Sequence, residues 1–333
     1  MILTLAGTDK VRVLMLGLSG IDIWSRRTDV SIVGAVNLYN EDPNDAAKVD
    51  TGNVHLYSNV DIALRDAAPD MVMMYTPNYR KTDMHAVASV VNNGYDLYLD
   101  KLRCAHPSVG DELFKLRRES SKRILIGDGY RFHPAVLETR RLLESGMAGS
   151  IESVVWECYR PEFKADWKDS YRHLMLEDLS YHHFSAMQAM FGLPFDTVYA
   201  VSAAPRRSSQ NARTAVTVTA HEEDGVQLSY HASWLACGQT TSHLGQFRVE
   251  GSRGSVIFQN GQLRCLAVSG DDHIVVSLSQ TRGAQTLIDH YLEMCNNQIP
   301  SELDIEHFLP VLRLVYACVQ SAETTSPVLL KTT

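Results

Sequence analysis

The sequence predicts two domains in tandem. The first is an α/β domain built on a doubly wound parallel sheet. The second is an α+β domain with a large, mostly antiparallel open sheet. Three observations predict this. Continuous apolar runs alternate with helical spacings up to Gly127. Beyond it, apolar and polar residues alternate with the period of a half-exposed strand. Glycine-bearing turns such as Asp224-Gly225 and Asn260-Gly261 separate several of those later runs, as antiparallel pairing requires. At 333 residues the chain is long enough for two cores, placed at 1–127 and 128–333.

Residues 11–16 form an apolar run broken only by Arg12 and ending at Gly17, which suits a strand buried on both faces. A second strand over 31–36 follows a short segment containing Trp24, Arg26 and Arg27. A third, short strand falls at 54–58 and a helix over 59–67. The run from Met71 to Tyr75 is another buried strand, stopped by Thr76-Pro77-Asn78. Met84, Val87, Ala88 and Val91 recur at helical spacing within 83–93, and Gly94 follows as a C-cap. A strand at 95–99, a helix over 107–121 and a strand at 123–126 complete the first domain. In the second, a helix over 134–145 leads into a strand over 151–157. Alternating runs recur at 214–220, 226–233, 246–250, 255–259 and 274–278. Helices at about 287–296 and 305–322 close the chain.

Composition narrows the function classes. With 31 basic and 39 acidic residues the net charge is −8, which disfavours nucleic-acid and anionic-membrane partners. The apolar share of 45 % and aromatic share of 8 % are those of a globular protein. Six cysteines are scattered without a Cys-x-x-Cys pair, which suits reduced thiols better than disulfides or a zinc knuckle. The N-terminus lacks the basic start and apolar stretch of a signal peptide. No run approaches the ~20 apolar residues that cross a bilayer. These features point to the cytoplasm.

Gly17-Leu18-Ser19-Gly20-Ile21-Asp22 follows a strand and opens a helix, the context of a Rossmann dinucleotide loop. Ser19 and Asp22 hold the second and third glycine positions, so the motif alone fits either a dinucleotide loop or an ordinary strand–turn–helix. Asn37 stands at the end of the second strand, where an acid that binds the adenosine ribose is expected, and it can still bond ribose hydroxyls. Glu41 and Asp42 follow, with no base placed for a 2′-phosphate. NAD is therefore favoured over NADP, although Arg26 and Arg27 leave NADP open. Further on, Lys101 ends a buried strand at the carboxyl edge of the sheet, where ligands bind. Asp178 and His182 lie four residues apart on a predicted helix and share one face. A lysine, a histidine and a carboxylate that orients it suffice for a proton relay beside a redox cofactor. His183 points about 100° away from His182 on that helix and is assigned to packing. Glu177, Asp178, His182 and His183 offer no fixed third ligand position, so no metal is expected.

Taken in order, Thr76-Pro77-Asn78, Asp100-Lys101-Leu102, Gly129-Tyr130-Arg131-Phe132-His133-Pro134 and Asp178-x-x-x-His182 give the chain a family likeness. It resembles the Gfo/Idh/MocA oxidoreductases, the group of glucose-fructose oxidoreductase and the inositol dehydrogenases. The likeness extends to Val249-Glu250-Gly251-Ser252-Arg253-Gly254-Ser255. It implies an NAD(P)-dependent dehydrogenase or reductase acting on a secondary alcohol or ketone of a sugar, cyclitol or related polyol. Lys101, Asp178 and His182 are the implied catalytic residues, with His182 as base, Asp178 as its orienter and Lys101 on the reacting oxygen. The cofactor residues are Gly17, Ser19, Gly20, Ile21, Asn37, Thr76, Pro77, Asn78, Asp100, Lys101 and Arg131. Candidate substrate contacts are Tyr130, Arg131, Arg160, Trp167, Arg172, His173 and His243. A homodimer or homotetramer is expected. Two other readings stay open: a redox-neutral epimerase or eliminase with tightly held NAD, and a non-catalytic binding or regulatory protein on the same fold.

Overall fold

The computed structural model describes residues 10–41, 54–77, 80–102, 108–161, 166–206, 208, 211–223, 225–267, 274–278, 283–297 and 300–330. The chain divides into two compact units. One comprises Met1–Gly127 with Ile288–His307, and the other Asp128–Leu287 with Phe308–Thr333.

In the first unit a six-stranded parallel sheet is built from β1 (Val11–Leu16), β2 (Val30–Val36), β3 (Leu56–Tyr57), β4 (Met71–Met74), β5 (Leu97–Leu99) and β6 (Ile124–Ile126). Their spatial order is β3-β2-β1-β4-β5-β6, the doubly wound order that reverses between β1 and β4. The side chains of β4, β5 and β6 are all buried, which is why these strands read as unbroken apolar runs. Helices α1 (Ile21–Ser25), α2 (Val60–Ala67), α3 (Met84–Asn92) and α4 (Ser108–Ser120) connect them. Asn59 and Asp83 cap α2 and α3 by accepting from Ile62 N and Ala86 N. Helix α1 is short, at five residues.

The segment Ile288–His307 groups with the first unit, whereas the tandem reading placed it in the second domain. It packs on the edge of the first sheet, where Ile126 N donates to Leu303 O at 2.8 Å and Leu125 bridges Asp304. Tyr291 Oη donates to Leu99 O at 3.0 Å, and Arg117 pairs with Asp304 at 2.8 Å. The segment thus covers the edge strand β6, whose free backbone groups would otherwise invite pairing. Such an edge-covering role leaves no local sequence signal.

The second unit carries a nine-stranded sheet. Its strands are β7 (Ile151–Tyr159), β8 (Thr197–Ala203), β9 (Ala215–His221), β10 (Gln227–Ser233), β11 (Gln246–Gly251), β12 (Gly254–Gln259), β13 (Gln262–Ala267), β14 (Ile274–Val276) and β15 (Val328–Leu329). The order is β14-β13-β12-β11-β7-β10-β9-β8-β15. All pairings are antiparallel except β7 with β10, where Val154 sits opposite Leu228 and Trp156 opposite Tyr230. Strands β8, β13 and β15 were not singled out in the sequence. The inward residues of β8 are Val198, Ala200 and Ser202, too small to make its alternation conspicuous. Helix α5 (Pro134–Glu144) starts at Pro134, with His133 accepting from Ala135 N at its N-terminus. The helix predicted to carry Asp178 and His182 is present in two parts. Met175–Ser180 winds as a π-helix and runs directly into α6 (Tyr181–Phe191). Such π insertions occur often at functional sites. Helices α7 (Gly283–Asn297) and α8 (Ile305–Thr324) both cross the division between the units.

Candidate functional site

The first unit gathers its candidate residues at the carboxyl ends of the parallel strands. Gly17 leaves β1 at φ +90°, and a Cβ there would lie 2.3 Å from Tyr75 O, so only glycine fits. Gly20 rests on the Tyr75 ring, where a Cβ would again come within 2.3 Å. Tyr75 itself is fixed by Trp24, whose Nε1 donates to its hydroxyl at 3.0 Å. Ile21 is buried in the first turn of α1. Thr76 is buried and bonded to Tyr39 Oη at 3.1 Å, and Pro77 is buried beside it. Asp100 and the buried Lys101 follow β5 directly. Asn78 lies outside the described residues.

A carboxylate missed as a site residue lies on this loop. Glu41 Oε1 accepts from Leu18 N at 2.6 Å, and Glu41 Oε2 accepts from the Ser19 hydroxyl. Asn37, expected to face a ribose, instead clasps the backbone of Glu41. Its Nδ2 donates to Glu41 O and its Oδ1 accepts from Glu41 N, both at 2.8 Å. Of the two bases weighed for a 2′-phosphate, Arg26 lies 3.8 Å from Asp22, and Arg27 is paired with Asp29 and Asp289 at 2.7 Å.

In the second unit the cluster centres on His182. Its Nδ1 lies 3.1 Å from Asp128 Oδ1, and the Asp128 side chain is wholly buried. Tyr130 N donates to the same oxygen at 2.9 Å, while the Tyr130 ring stacks on the imidazole at 4.6 Å. Burial opposes the charge on Asp128. The His182 imidazole and the Tyr130 N–H nevertheless bring its carboxyl below the usual value, with a smaller share from the Ser185 hydroxyl. Burial, then the Asp128 charge, raises the Tyr130 hydroxyl, which stays protonated. His243 is lowered by burial and by the Arg160 charge; Asp178 opposes, and His182 and Lys168 add to the lowering. These groups therefore share one electrostatic neighbourhood. The spacing pointed to Asp178 as the acid on the imidazole nitrogen, whereas the acid at Nδ1 is Asp128. It enters from the turn after β6, 54 residues away in the chain, and its only local mark is Gly127-Asp128-Gly129 at a strand end.

His182 Nδ1 and Asp128 Oδ1 are close but not aligned for a hydrogen bond, so the carboxylate acts on the imidazole by its charge. That charge favours the tautomer of a neutral His182 with the proton on Nδ1 and the lone pair on Nε2. His183 differs at every point. It is fully buried, with Nδ1 2.8 Å from Tyr230 Oη and Nε2 2.8 Å from His243 O. Because a carbonyl only accepts, Nε2 carries the proton. Burial pushes this imidazole down to about 3.

The remaining candidates scatter. Arg160 donates to Thr241 O at 2.6 Å, beside the His243 segment. Trp167 sits in the short 3₁₀ helix Asp166–Ser170, next to Lys168, whose Nζ lies 4.0 Å over the Trp234 ring. Arg131 is buried, donates to Ser185 O at 3.3 Å and lies 5.9 Å over the Phe308 ring. Arg172 is exposed and His173 buried, and both meet Glu323, at 3.1 Å and 3.5 Å. Among the described residues, no three His, Cys, Asp or Glu side chains are grouped to hold a metal ion. Nor is any described helix long and apolar enough to cross a membrane.

Known proteins share this architecture. An oxidoreductase from Agrobacterium radiobacter, solved with NAD+, L-tartaric acid and magnesium, superposes with a TM-score of 0.83 at 13% identity, over 96% of this chain and 98% of that one. An oxidoreductase from Thermotoga maritima gives 0.79 at 18% identity, over 96% and 98%. The aldose-aldose oxidoreductase of Caulobacter crescentus, solved with glycerol, gives 0.76 at 16% identity, over 96% and 100%. Among curated proteins no sequence matches this chain. Residues 136–257 match the model of the GFO/IDH/MocA C-terminal domain. The family likeness read from the sequence is thus met in two ways: residues 136–257 are similar to the GFO/IDH/MocA C-terminal domain, and the fold pairs a Rossmann-type unit with an α+β unit.

Proposed function

We propose that the protein is an NAD-dependent oxidoreductase, moving a hydride to or from the secondary alcohol or ketone carbon of a sugar, cyclitol or related polyol. The observation that carries this reading is His182. With Nδ1 held against buried Asp128, Nε2 is the nitrogen free to take the hydroxyl proton on oxidation and return it on reduction. Asp128 offsets the charge that the imidazole gains, and the stacked Tyr130 ring limits its rotation. Asp178 and Arg160 act on both the Tyr130 hydroxyl and His243, which itself feels His182, and these polar groups suit a hydroxyl-rich substrate. Tyr130, Arg160 and His243 share the electrostatic neighbourhood of the His182 cluster, which favours them as the substrate contacts.

The first unit's part in the reading rests on the strand ends. Its loop donors already hold an oxyanion group, the Glu41 carboxylate, and Lys101 stands at the carboxyl edge of the sheet. The loop residues suit the adenosine end of a dinucleotide. When bound, the nicotinamide supplies the hydride acceptor or donor. Lys101 is assigned to hydrogen-bond the reacting oxygen, and Thr76, Pro77 and Asp100 to border the cofactor. The relatives solved with NAD+ and with glycerol fit the same class of chemistry.

The test is to follow nicotinamide absorbance while purified protein and NAD+ meet a panel of cyclitols, sugars and sugar acids. Net reduction of the cofactor is expected with at least one. His182→Ala should cut kcat by about 10²- to 10⁴-fold with dinucleotide affinity unchanged. Wild-type turnover in that variant would remove His182 as the base. Failure to bind either dinucleotide at about millimolar concentration would sink the oxidoreductase reading.

A further inference from the structure

The second strand of the first unit is followed directly by Asn37, where a dinucleotide fold ordinarily carries the acid that bonds the adenosine ribose. Asn37 is not idle, because both ends of its amide are bonded to the backbone of Glu41 at 2.8 Å. That pair of bonds closes the turn after β2, in which Asn40 takes the left-handed φ of +50°. The turn brings the Glu41 side chain back over the β1 loop. There Leu18 N bonds one carboxylate oxygen at 2.6 Å and the Ser19 hydroxyl the other. A Cβ on Gly17 would lie 3.4 Å from Oε1, so the carboxylate stands directly at the strand-end glycine.

We infer that Glu41 is the residue that recognises the ribose diol of the adenosine half and selects the dinucleotide without a 2′-phosphate. This rests on the oxidoreductase reading. Each carboxylate oxygen has about two lone pairs, and the loop uses one on each. The second pair on each oxygen remains for the two neighbouring ribose hydroxyls, so the ligand bonds without displacing the acid. Because the loop and Asn37 fix the carboxylate beforehand, little side-chain freedom is lost on binding. The same fixity turns it against a 2′-phosphate, which would bring roughly two negative charges beside a carboxylate that cannot swing away. Of the bases weighed for that phosphate, Arg27 is held by Asp29 and Asp289, and the exposed Arg26 lies 3.8 Å from Asp22. The ribose acid has thus moved four positions along the chain, and the asparagine at its former place has become its clasp.

Calorimetric titration with NAD+, NADP+ and the 2′-deoxyadenosine analogue of NAD+ tests this directly, using wild type, Glu41→Gln and Glu41→Ala. Wild type should prefer NAD+ over NADP+ by about a hundredfold, and should lose about tenfold in affinity for the deoxy analogue. Glu41→Gln should gain NADP+ affinity and narrow the preference at least about tenfold. Glu41→Ala should weaken NAD+ by about tenfold and no longer distinguish it from the deoxy analogue. Loss of that discrimination is a readout that a merely structural glutamate would not move. If Glu41→Ala kept the wild-type NAD+ affinity and preference, or bound NAD+ more tightly, the inference would be overturned while the oxidoreductase reading stood. If wild type bound neither dinucleotide, both would fall together.

Discussion

Asp128 and Glu41 are both carboxylates that reach a functional residue from outside the spacing that marks it, yet their surroundings are opposite. Asp128 is wholly buried, lies 3.1 Å from the His182 imidazole and takes a backbone N–H on the same oxygen. Glu41 is only partly buried and divides its two oxygens between a backbone N–H and a hydroxyl of the β1 loop. Burial makes the difference. A carboxylate in a low-dielectric interior acts strongly on its neighbour's charge and tautomer, whereas one at the surface is screened and acts through the directional bonds it still has to offer. The first therefore suits proton chemistry and the second recognition.

The comparison breaks most visibly in turnover. Asp128→Asn keeps the shape at Nδ1 and removes the charge that offsets a protonated His182. It is expected to lower kcat by about tenfold to a thousandfold with KM little changed. Asp178→Asn should cost less. Steady-state kinetics on both variants, with thermal unfolding as a check on folding, decide the matter. A larger loss from Asp178→Asn would return the orienting role to the acid that helical spacing suggests.

The next effect is on stability. His182 faces a carboxylate, whereas His183 next to it is buried neutral and lowered to about 3 from an unfolded value near 6.5. Because the folded value is depressed, its contribution is complete above about 6.5 and is lost as pH falls toward 3, since the unfolded chain takes up the proton first. Between about pH 7 and about pH 5 this amounts to roughly 2 kcal/mol. His183→Gln should be less stable at neutral pH and show a correspondingly flatter loss of urea-unfolding free energy over that interval. An unchanged slope would mean that other groups carry the acid sensitivity.

The smallest effect belongs to the clasp. Asn37→Ala removes two bonds that position Glu41 and leaves its carboxylate in place, so NAD+ affinity should fall only about threefold. A loss as large as that in Glu41→Ala would assign the ribose to Asn37 itself.

Much of this was legible in the chain. The parallel sheet followed from unbroken apolar runs ending in glycine or proline, and the open sheet from period-two alternation. Lys101 and His182 stood out because the lysine ends a buried strand at the carboxyl edge of the sheet and the histidine follows an acid at i, i+4 spacing. Other features left no mark that spacing could register. Segment 288–307 looks like any helix and turn until it is seen covering β6. Strand β8 hides its alternation behind alanine and serine. The π-helix before α6 has the same composition as an α-helical start.

The sequence by itself determined the fold class, the order of the elements and the residue types available for proton transfer, because burial patterns and turn residues act locally along the chain. Only the tertiary structure decided which acid serves which partner. Asp128 meets His182 across 54 residues, and Glu41 meets Leu18 across 23. A side chain's partner depends on where strand ends and turns converge in space, and helical spacing constrains only neighbours within a turn.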